Sequence, residues 1–466
     1  MNKAIFWAFA LLLPATALLS ASPAEAFDFN SEYIISDYDL TNPFTMDINQ
    51  IQQFLERGYL GSYVTSDSEG VQRTAADIIW RSSQFNGVNP KFLLVLLQKE
   101  QSLIEDDNPS DRQLDWATGY AVCDSCSKDD PAIARWKGFG KQVNSAALQF
   151  TEGYLTDIEE TGSTQGKYGP GIPVSIDNDV ITPSNAATAS LYAYTPHFEG
   201  NENFAKIWHR WFSVQYPTGT LLKNAESSAI YLIEYGYKRP INSYSALLSR
   251  FNDDLIIEVA PTQLANYPDG RAIDFPNYSL LQDATGKIYL LVDDALRHIE
   301  SMETFYAIGF MEDEIVNIDT ADVSTFDVGT PITTATLFPQ GNLLELEGSG
   351  AVYFIQDGLR HAVLDSAILA AEFPNQTTEK VLPVVVEQFA EGKAVKMPDG
   401  WLVKGSEEPV VYVISEGHKR PIADENTFLG MGFEWTDIVV VNQAALNLHD
   451  TGVMITSDGE ASIASN

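Results

Sequence analysis

Cysteine is nearly absent from this chain: only Cys123 and Cys126 occur in 466 residues. That excludes a disulfide-dense secreted scaffold, and with no second CxxC or paired His to complete a tetrahedral set it excludes a structural zinc site. Asp124, Asp129 and Asp130 crowd the CxxC, a poor setting for a redox thiolate, so a small local Cys123–Cys126 disulfide is expected. Histidine is scarce as well, and neither a metal nor an organic cofactor is expected. Positive charge is the third shortage, with 28 Lys and Arg against 64 Asp and Glu for a net charge of -36. Both halves are acidic, which argues against nucleic acid, whose phosphates are held by basic contacts, and against long-range attraction to an anionic wall. Long apolar runs are missing after the first twenty residues, so no transmembrane segment is expected in the mature chain.

That first run reads as an export signal. Lys3 gives a basic start, Ala4 to Leu19 an apolar stretch broken by Pro14 and Thr16, and Ala24-Glu25-Ala26 the small residues that a signal peptidase reads. Residues 1–26 are therefore expected to be removed, leaving a secreted, cell-surface or periplasmic protein that begins at Phe27. A hydrophobic content of 45% is ample for packed cores, and the length exceeds one ordinary domain.

The C-terminal half repeats itself. A Pro-x-x-x-Leu-Leu/Val opening recurs at Pro217, Pro276, Pro339 and Pro398, and each is followed by a Tyr-led run: Tyr231-Leu232-Ile233, Tyr289-Leu290-Leu291, Tyr353-Phe354-Ile355 and Tyr412-Val413-Ile414. A Gly- or Asp-containing turn and a basic step follow, centred on Arg239, Arg297, Arg360 and Arg420. The pattern predicts a β-hairpin, a short helix and a closing strand in each unit. One unit cannot bury its own apolar face, so neighbours must stack; a propeller-like ring and an open array both suit four copies. The repeated Arg reads as a link to acidic neighbours. Domain boundaries are placed at 27–215 and 216–466, with four repeats starting near 217, 276, 339 and 398.

In the N-terminal half, Asn89-Pro90 is a capping residue followed by Pro at the first helical position, and Phe92 to Leu97 then run into Gln98-Lys99-Glu100-Gln101. Steps of three and four from Glu100 reach Leu93, Leu96, Leu97, Leu103 and Ile104, which sets one carboxylate on an apolar face near the helix end. Apolar walls and the negative helix terminus favour a protonated acid there, which is what cleavage of a glycosidic bond requires. A structural Glu bonded to a backbone amide or to Lys99 is the other reading, and spacing alone leaves both open.

Leu96-Leu97-Gln98-Lys99-Glu100-Gln101-Ser102-Leu103 and Ala189-Ser190-Leu191-Tyr192-Ala193-Tyr194-Thr195-Pro196 add a second signal. On these two segments, residues 27–212 resemble the lysozyme-like superfamily of soluble lytic transglycosylases and goose-type lysozymes, in an exported bacterial protein with C-terminal tail repeats. Gly138-Phe139-Gly140-Lys141-Gln142 is similar to glucosaminidase-type relatives. The resemblance implies a mainly α, lysozyme-like N-terminal domain with Glu100 as general acid and Tyr192 as the hydroxyl that holds it. Gln142, Tyr120, Tyr194, Trp116 and Asp115 would contact the glycan. Two departures stand out: Ala193 replaces the family's Asn, and Gly119-Tyr120-Ala121-Val122 replaces Gly-Leu-Met-Gln. The implied function is cleavage of peptidoglycan or a related aminosugar glycan, the repeats attaching to the wall or to a cell-surface partner. A non-enzymatic glycan-binding or adhesion protein is the alternative.

Overall fold

The computed structural model describes residues 29–122, 130–374, 376–456 and 459–460. The expected signal peptide and both cysteines lie outside them.

The N-terminal part is assembled around the helix Pro90–Gln101. Asn89 caps it by accepting the Lys91 N–H, and Ser102, with φ 58°, ends it by bonding back to the Gln98 and Leu97 carbonyls. Every side chain from Phe92 to Leu97 is fully buried, so the helix is apolar all round and runs through the core rather than along its surface. Each such residue contributes roughly 1.5–3 kcal/mol on burial. The Phe92 ring meets Phe150 edge-on at 4.7 Å and Phe204 at 5.3 Å. Around this helix lie Ala75–Asn86, Phe139–Leu148, Ala186–Tyr194 and Phe198–Phe212. Two short hairpins are inserted, Val64–Ser66 with Gln72–Thr74 and Val174–Ile176 with Asp179–Ile181.

Four separate sheets of four or five strands follow. In the first, Leu221–Asn224 pairs antiparallel with Ile230–Glu234, which pairs antiparallel with Tyr237–Pro240, while Ile256–Val259 returns parallel to the opening strand. The same order recurs around Leu280–Gln282, Asn342–Leu346 and Leu402–Gly405. The returning strand has to cross the sheet to run parallel, and the helices Tyr244–Leu248, Met302–Ile308, Ser366–Glu372 and Glu425–Gly430 lie in those crossings. Tight hairpin turns place Tyr235, Asp293, Asp357 and Glu416 at left-handed φ values of 48°, 54°, 50° and 54°. In the first two copies the repeated Arg links neighbouring sheets. Arg239 of the first donates twice to Asp294 of the second at 2.7 and 2.8 Å, and Arg297 of the second reaches Asp357 of the third at 2.9 Å.

The expected fold class does not hold. The chain is mixed, 35% helix and 22% strand, rather than a mainly α lysozyme-like domain followed by a propeller-like array, and no propeller or closed barrel is found among the described residues. The sheets remain distinct units. The first and last nevertheless share one apolar core, in which Leu222, Ile233 and Tyr267 pack with Leu402, Val413 and Phe428. Among the described residues no helix is long and apolar enough to cross a membrane.

Where these two sheets meet, the backbones touch at paired glycines. A Cβ on Gly400 would lie 2.2 Å from the Gly219 carbonyl oxygen, and one on Gly219 would lie 2.3 Å from the Asp399 carbonyl carbon; both residues have positive φ, 89° and 98°. Gly400→Ala should therefore combine strain with a backbone clash and cost about 2–4 kcal/mol. Gly236→Ala, also at positive φ but with open space around it, should cost only about 1 kcal/mol. Chemical denaturation of the two variants checks this, and equal losses would show that the close approach carries no weight.

Candidate functional site

Glu100 sits in the last turn of the core helix, with a side chain 22% exposed. Its Oε1 lies 2.6 Å from the Lys99 ammonium, which is almost buried and also bonds the Thr195 hydroxyl at 2.5 Å. The other oxygen faces the loop after Trp116. A Cβ on Gly119 would lie 3.2 Å from Glu100 Oε2, and Gly119 adopts φ 70°, so glycine lets this loop pass directly beside the carboxylate.

Tyr194 closes the neighbouring side. Its ring stacks on Phe150 at 4.9 Å and its hydroxyl donates to the Thr118 carbonyl at 2.7 Å. Burial, and next the negative charge of Glu100, hold this hydroxyl well above the ordinary tyrosine range, which identifies the two groups as electrostatic neighbours. Tyr120 and Trp136 stand edge to face at 6.0 Å, both partly exposed, and Arg135 covers the Trp136 ring at 3.8 Å.

Gln142 is fully buried and does not face a groove. Its Oε1 accepts the Tyr120 N–H at 3.0 Å and the Thr118 hydroxyl at 3.2 Å, and its Nε2 donates to the Tyr120 and Trp136 carbonyls at 3.1 and 3.0 Å. It staples the Gly119 loop to the Ala134–Trp136 turn; the expected substrate contact is corrected to a positioning role. Gln142→Met keeps the volume but orphans these backbone groups, and should cost about 2–3 kcal/mol in urea denaturation. A loss below half of that would mean that the staple is dispensable.

Tyr192 does not hold the acid. It is fully buried and donates to the Ser31 carbonyl at 3.1 Å; burial, then Asp177, raises its hydroxyl above the ordinary range. Two positions along a helix are ~200° apart, so Tyr192 and Tyr194 must point to opposite sides, and Tyr194 is the one on the Glu100 side. Trp116 is 2% exposed and belongs to the interior, which removes it as a stacking surface. Asp115 pairs with Lys137 at 3.2 Å and remains partly exposed. The structure thus gathers Glu100, Tyr194 and Gly119, with Tyr120 secured by Gln142, and sends Tyr192 and Trp116 elsewhere. Lys99 was expected beside Glu100 only in the structural reading, where the pair now stands at 2.6 Å, and Thr195 only as part of the Ala189-to-Pro196 segment. Adjacent helix positions do not face each other, and only the fold brings Thr195 against the lysine stem.

No family model matches the chain. It is similar to Protein CgeD of Bacillus subtilis (strain 168), 30% identical over 105 residues, a stretch that spans 22% of this chain and 24% of that relative. The match thus covers about a quarter of the relative's length. Solved structures that align include the periplasmic assembly from the ESX-5 inner membrane complex, at 10% identity over 53% of this chain and 94% of that chain, with a TM-score of 0.14. An intact ESX-5 inner membrane complex aligns at 11% identity over 70% and 96%, also with a TM-score of 0.14. Scores that low carry no argument about fold or function.

Proposed function

We propose that this chain is an exported glycan-strand-cleaving enzyme of the muramidase or lytic transglycosylase kind, acting on peptidoglycan or a related aminosugar glycan. The observation that supports this reading is the partly exposed Glu100 carboxylate, one oxygen turned to the Gly119 loop and the other held by Lys99. In its protonated form Glu100 gives a proton to the glycosidic oxygen as the C–O bond breaks. The resulting carboxylate then takes a proton from attacking water, or from a hydroxyl of the sugar itself in the transglycosylase case. Lys99 positions the carboxylate. Tyr120 offers an aromatic face to a sugar ring. The C-terminal sheets serve as the wall-attachment or surface-attachment part, and the site of action is outside the cytoplasm.

One observation favours a second reading, a non-enzymatic glycan-binding protein: the 2.6 Å Lys99–Glu100 pair is also what a purely structural carboxylate looks like. Incubation of the mature protein with purified peptidoglycan separates the two. Release of soluble fragments by the parent and not by Glu100→Gln supports the enzyme, whereas pull-down of peptidoglycan by both proteins without release supports the binder.

A further inference from the structure

The four sheet units each place one ring at the same point of the repeat. Tyr267, Phe326, Phe389 and His449 stand three residues before Gly270, Gly329, Gly392 and Gly452, whose N–H groups bond back to the Lys238, Leu296, Arg360 and Lys419 carbonyls at 2.8, 3.0, 2.9 and 3.0 Å. Histidine in the fourth unit thus fills a position held by Tyr or Phe in the other three. In the first unit the Tyr267 hydroxyl accepts the N–H of Tyr216, the residue before Pro217, at 2.7 Å. In the fourth, His449 Nε2 takes over that part and accepts the N–H of Met397, the residue before Pro398, at 3.2 Å.

These bonds fix the protons of the ring, which is 2% exposed. A carbonyl can only accept, so Nδ1, 2.9 Å from the Gly417 oxygen, carries the hydrogen, while Nε2 accepts from Met397 and carries none. The ring is therefore neutral in the fold. A second proton would arrive at the nitrogen that the Met397 N–H already uses, and that bond would break. Burial holds the proton affinity of His449 below the ordinary histidine range; the ammonium groups of Lys396 and Lys419 act in the same direction, and the Gly417 carbonyl and Asp399 act against it. Ile368 from the third sheet's crossing helix, with Ile414, Val441 and Leu446, supplies apolar neighbours. Both of the ring's partners lead to the first sheet. Two residues beyond Met397, the Asp399 carboxylate accepts the Glu416 and Gly417 N–H groups at 2.8 and 2.9 Å, and Gly400 abuts Gly219. From the Gly417 turn, Glu416 Oε1 accepts the Thr218 hydroxyl at 3.2 Å.

We propose that His449 is a pH-sensitive pin: neutral, it holds the Met397–Gly400 segment and the Gly417 turn against the first sheet, and protonated in mild acid it releases Met397 and loosens that contact. The device is separate from the residues around Glu100 and independent of any glycan cleavage. A histidine whose folded value is depressed stabilises the fold in full above its unfolded value, near pH 6.5, and that contribution is lost as the pH falls below it. Asp399 also titrates beside the turn, its carboxyl pushed upward by burial, and exposed His418 lies on the turn itself. Both remain in any variant of His449, so comparison with the parent isolates the ring.

Hydrogen–deuterium exchange of the full chain, read by mass spectrometry at pH 7.5 and 5.0 and corrected for intrinsic exchange, tests the proposal in the parent, His449→Tyr and His449→Gln. Tyrosine is the first unit's own residue, with a hydroxyl that can accept the Met397 N–H; glutamine offers one acceptor and one donor; neither titrates between these pH values. In the parent, protection of peptides spanning 397–400 and 414–417 should fall about tenfold or more on going to pH 5.0, while peptides from the Pro90–Gln101 helix stay within about twofold. A variant as protected as the parent at pH 7.5 should change by less than about threefold. A variant already open at pH 7.5 mimics the protonated ring and, beside a pH-responsive parent, supports the pin. Unchanged protection of the parent at pH 5.0, or the same acid-induced loss in a variant that is closed at pH 7.5, would overturn the proposal.

Discussion

Asp294→Ala is expected to cost about 3 kcal/mol of stability, because it strips the shared partner from three arginines at once. Asp294 takes two bonds from Arg239, one from Arg271 at 2.6 Å, and weaker contacts from Arg250 at 3.3 Å. Arg239 is 5% exposed, so its charge cannot turn to water. Glu234, at 2.6 Å from Arg239, remains in the variant and keeps the loss at the lower end of the ~3–5 kcal/mol typical of a broken buried pair. Asp294→Asn, which keeps the shape but not the charge, should lose most of the same amount.

The pH dependence follows from the same geometry. Burial pushes the Asp294 carboxyl upward, but the bonds from Arg239 and Arg250 outweigh it and hold the group far below the usual carboxylate range. A carboxylate whose folded value is depressed stabilises the fold in full above its unfolded value, near pH 4, and loses that contribution as the pH falls toward the folded value. The difference in stability between parent and Asp294→Asn should therefore be level from neutral pH down to about 5 and shrink below about 4. Urea denaturation of both proteins across that range measures it, and a constant gap down to pH 3 would contradict the assignment.

Some of this could be read in the amino-acid order and some could not. Asn89-Pro90 foretold the start of the core helix because capping is a local matter, and Asn89 does accept the Lys91 N–H. The Tyr-led runs are strands because alternation and β-branched residues are local signals too, and two of the four repeated arginines, Arg239 and Arg297, meet acidic neighbours as expected. The fold class was misjudged. Three-residue strands such as Val64–Ser66 carry no periodicity to detect, and whether sheets close on one another depends on contacts that no single unit encodes.

The site shows the same division. Glu100 could be singled out from helical spacing, but matching Tyr192 by motif ignored the helix phase that turns Tyr194 toward it instead. Gln142 has the composition of a sugar contact, and only tertiary structure reveals that all of its bonds go to the protein's own loops. Lys99 needed the approach of Thr195 to be fixed beside the acid.

Loss of the Glu100 carboxyl should have the largest effect on activity. General acid catalysis is typically worth ~10²–10⁴-fold, or roughly 3–5 kcal/mol of barrier, so Glu100→Gln should remove most glycan cleavage. The amide keeps the size of the side chain and can still accept from Lys99, but Lys99 is almost buried, so the variant should lose about 1–3 kcal/mol of stability and its fold is checked before activity is read. Tyr194→Phe should cost less activity, since its hydroxyl bonds to the Thr118 carbonyl and shapes the loop rather than giving up a proton. The most direct measurement is mass spectrometry of the soluble products from purified peptidoglycan treated with the mature protein and, in parallel, with a folded Glu100→Gln variant. The proposed function calls for disaccharide-peptide fragments from the parent and at least ~100-fold less from the variant. Fragment release that is absent from both, or equal in both, would contradict it.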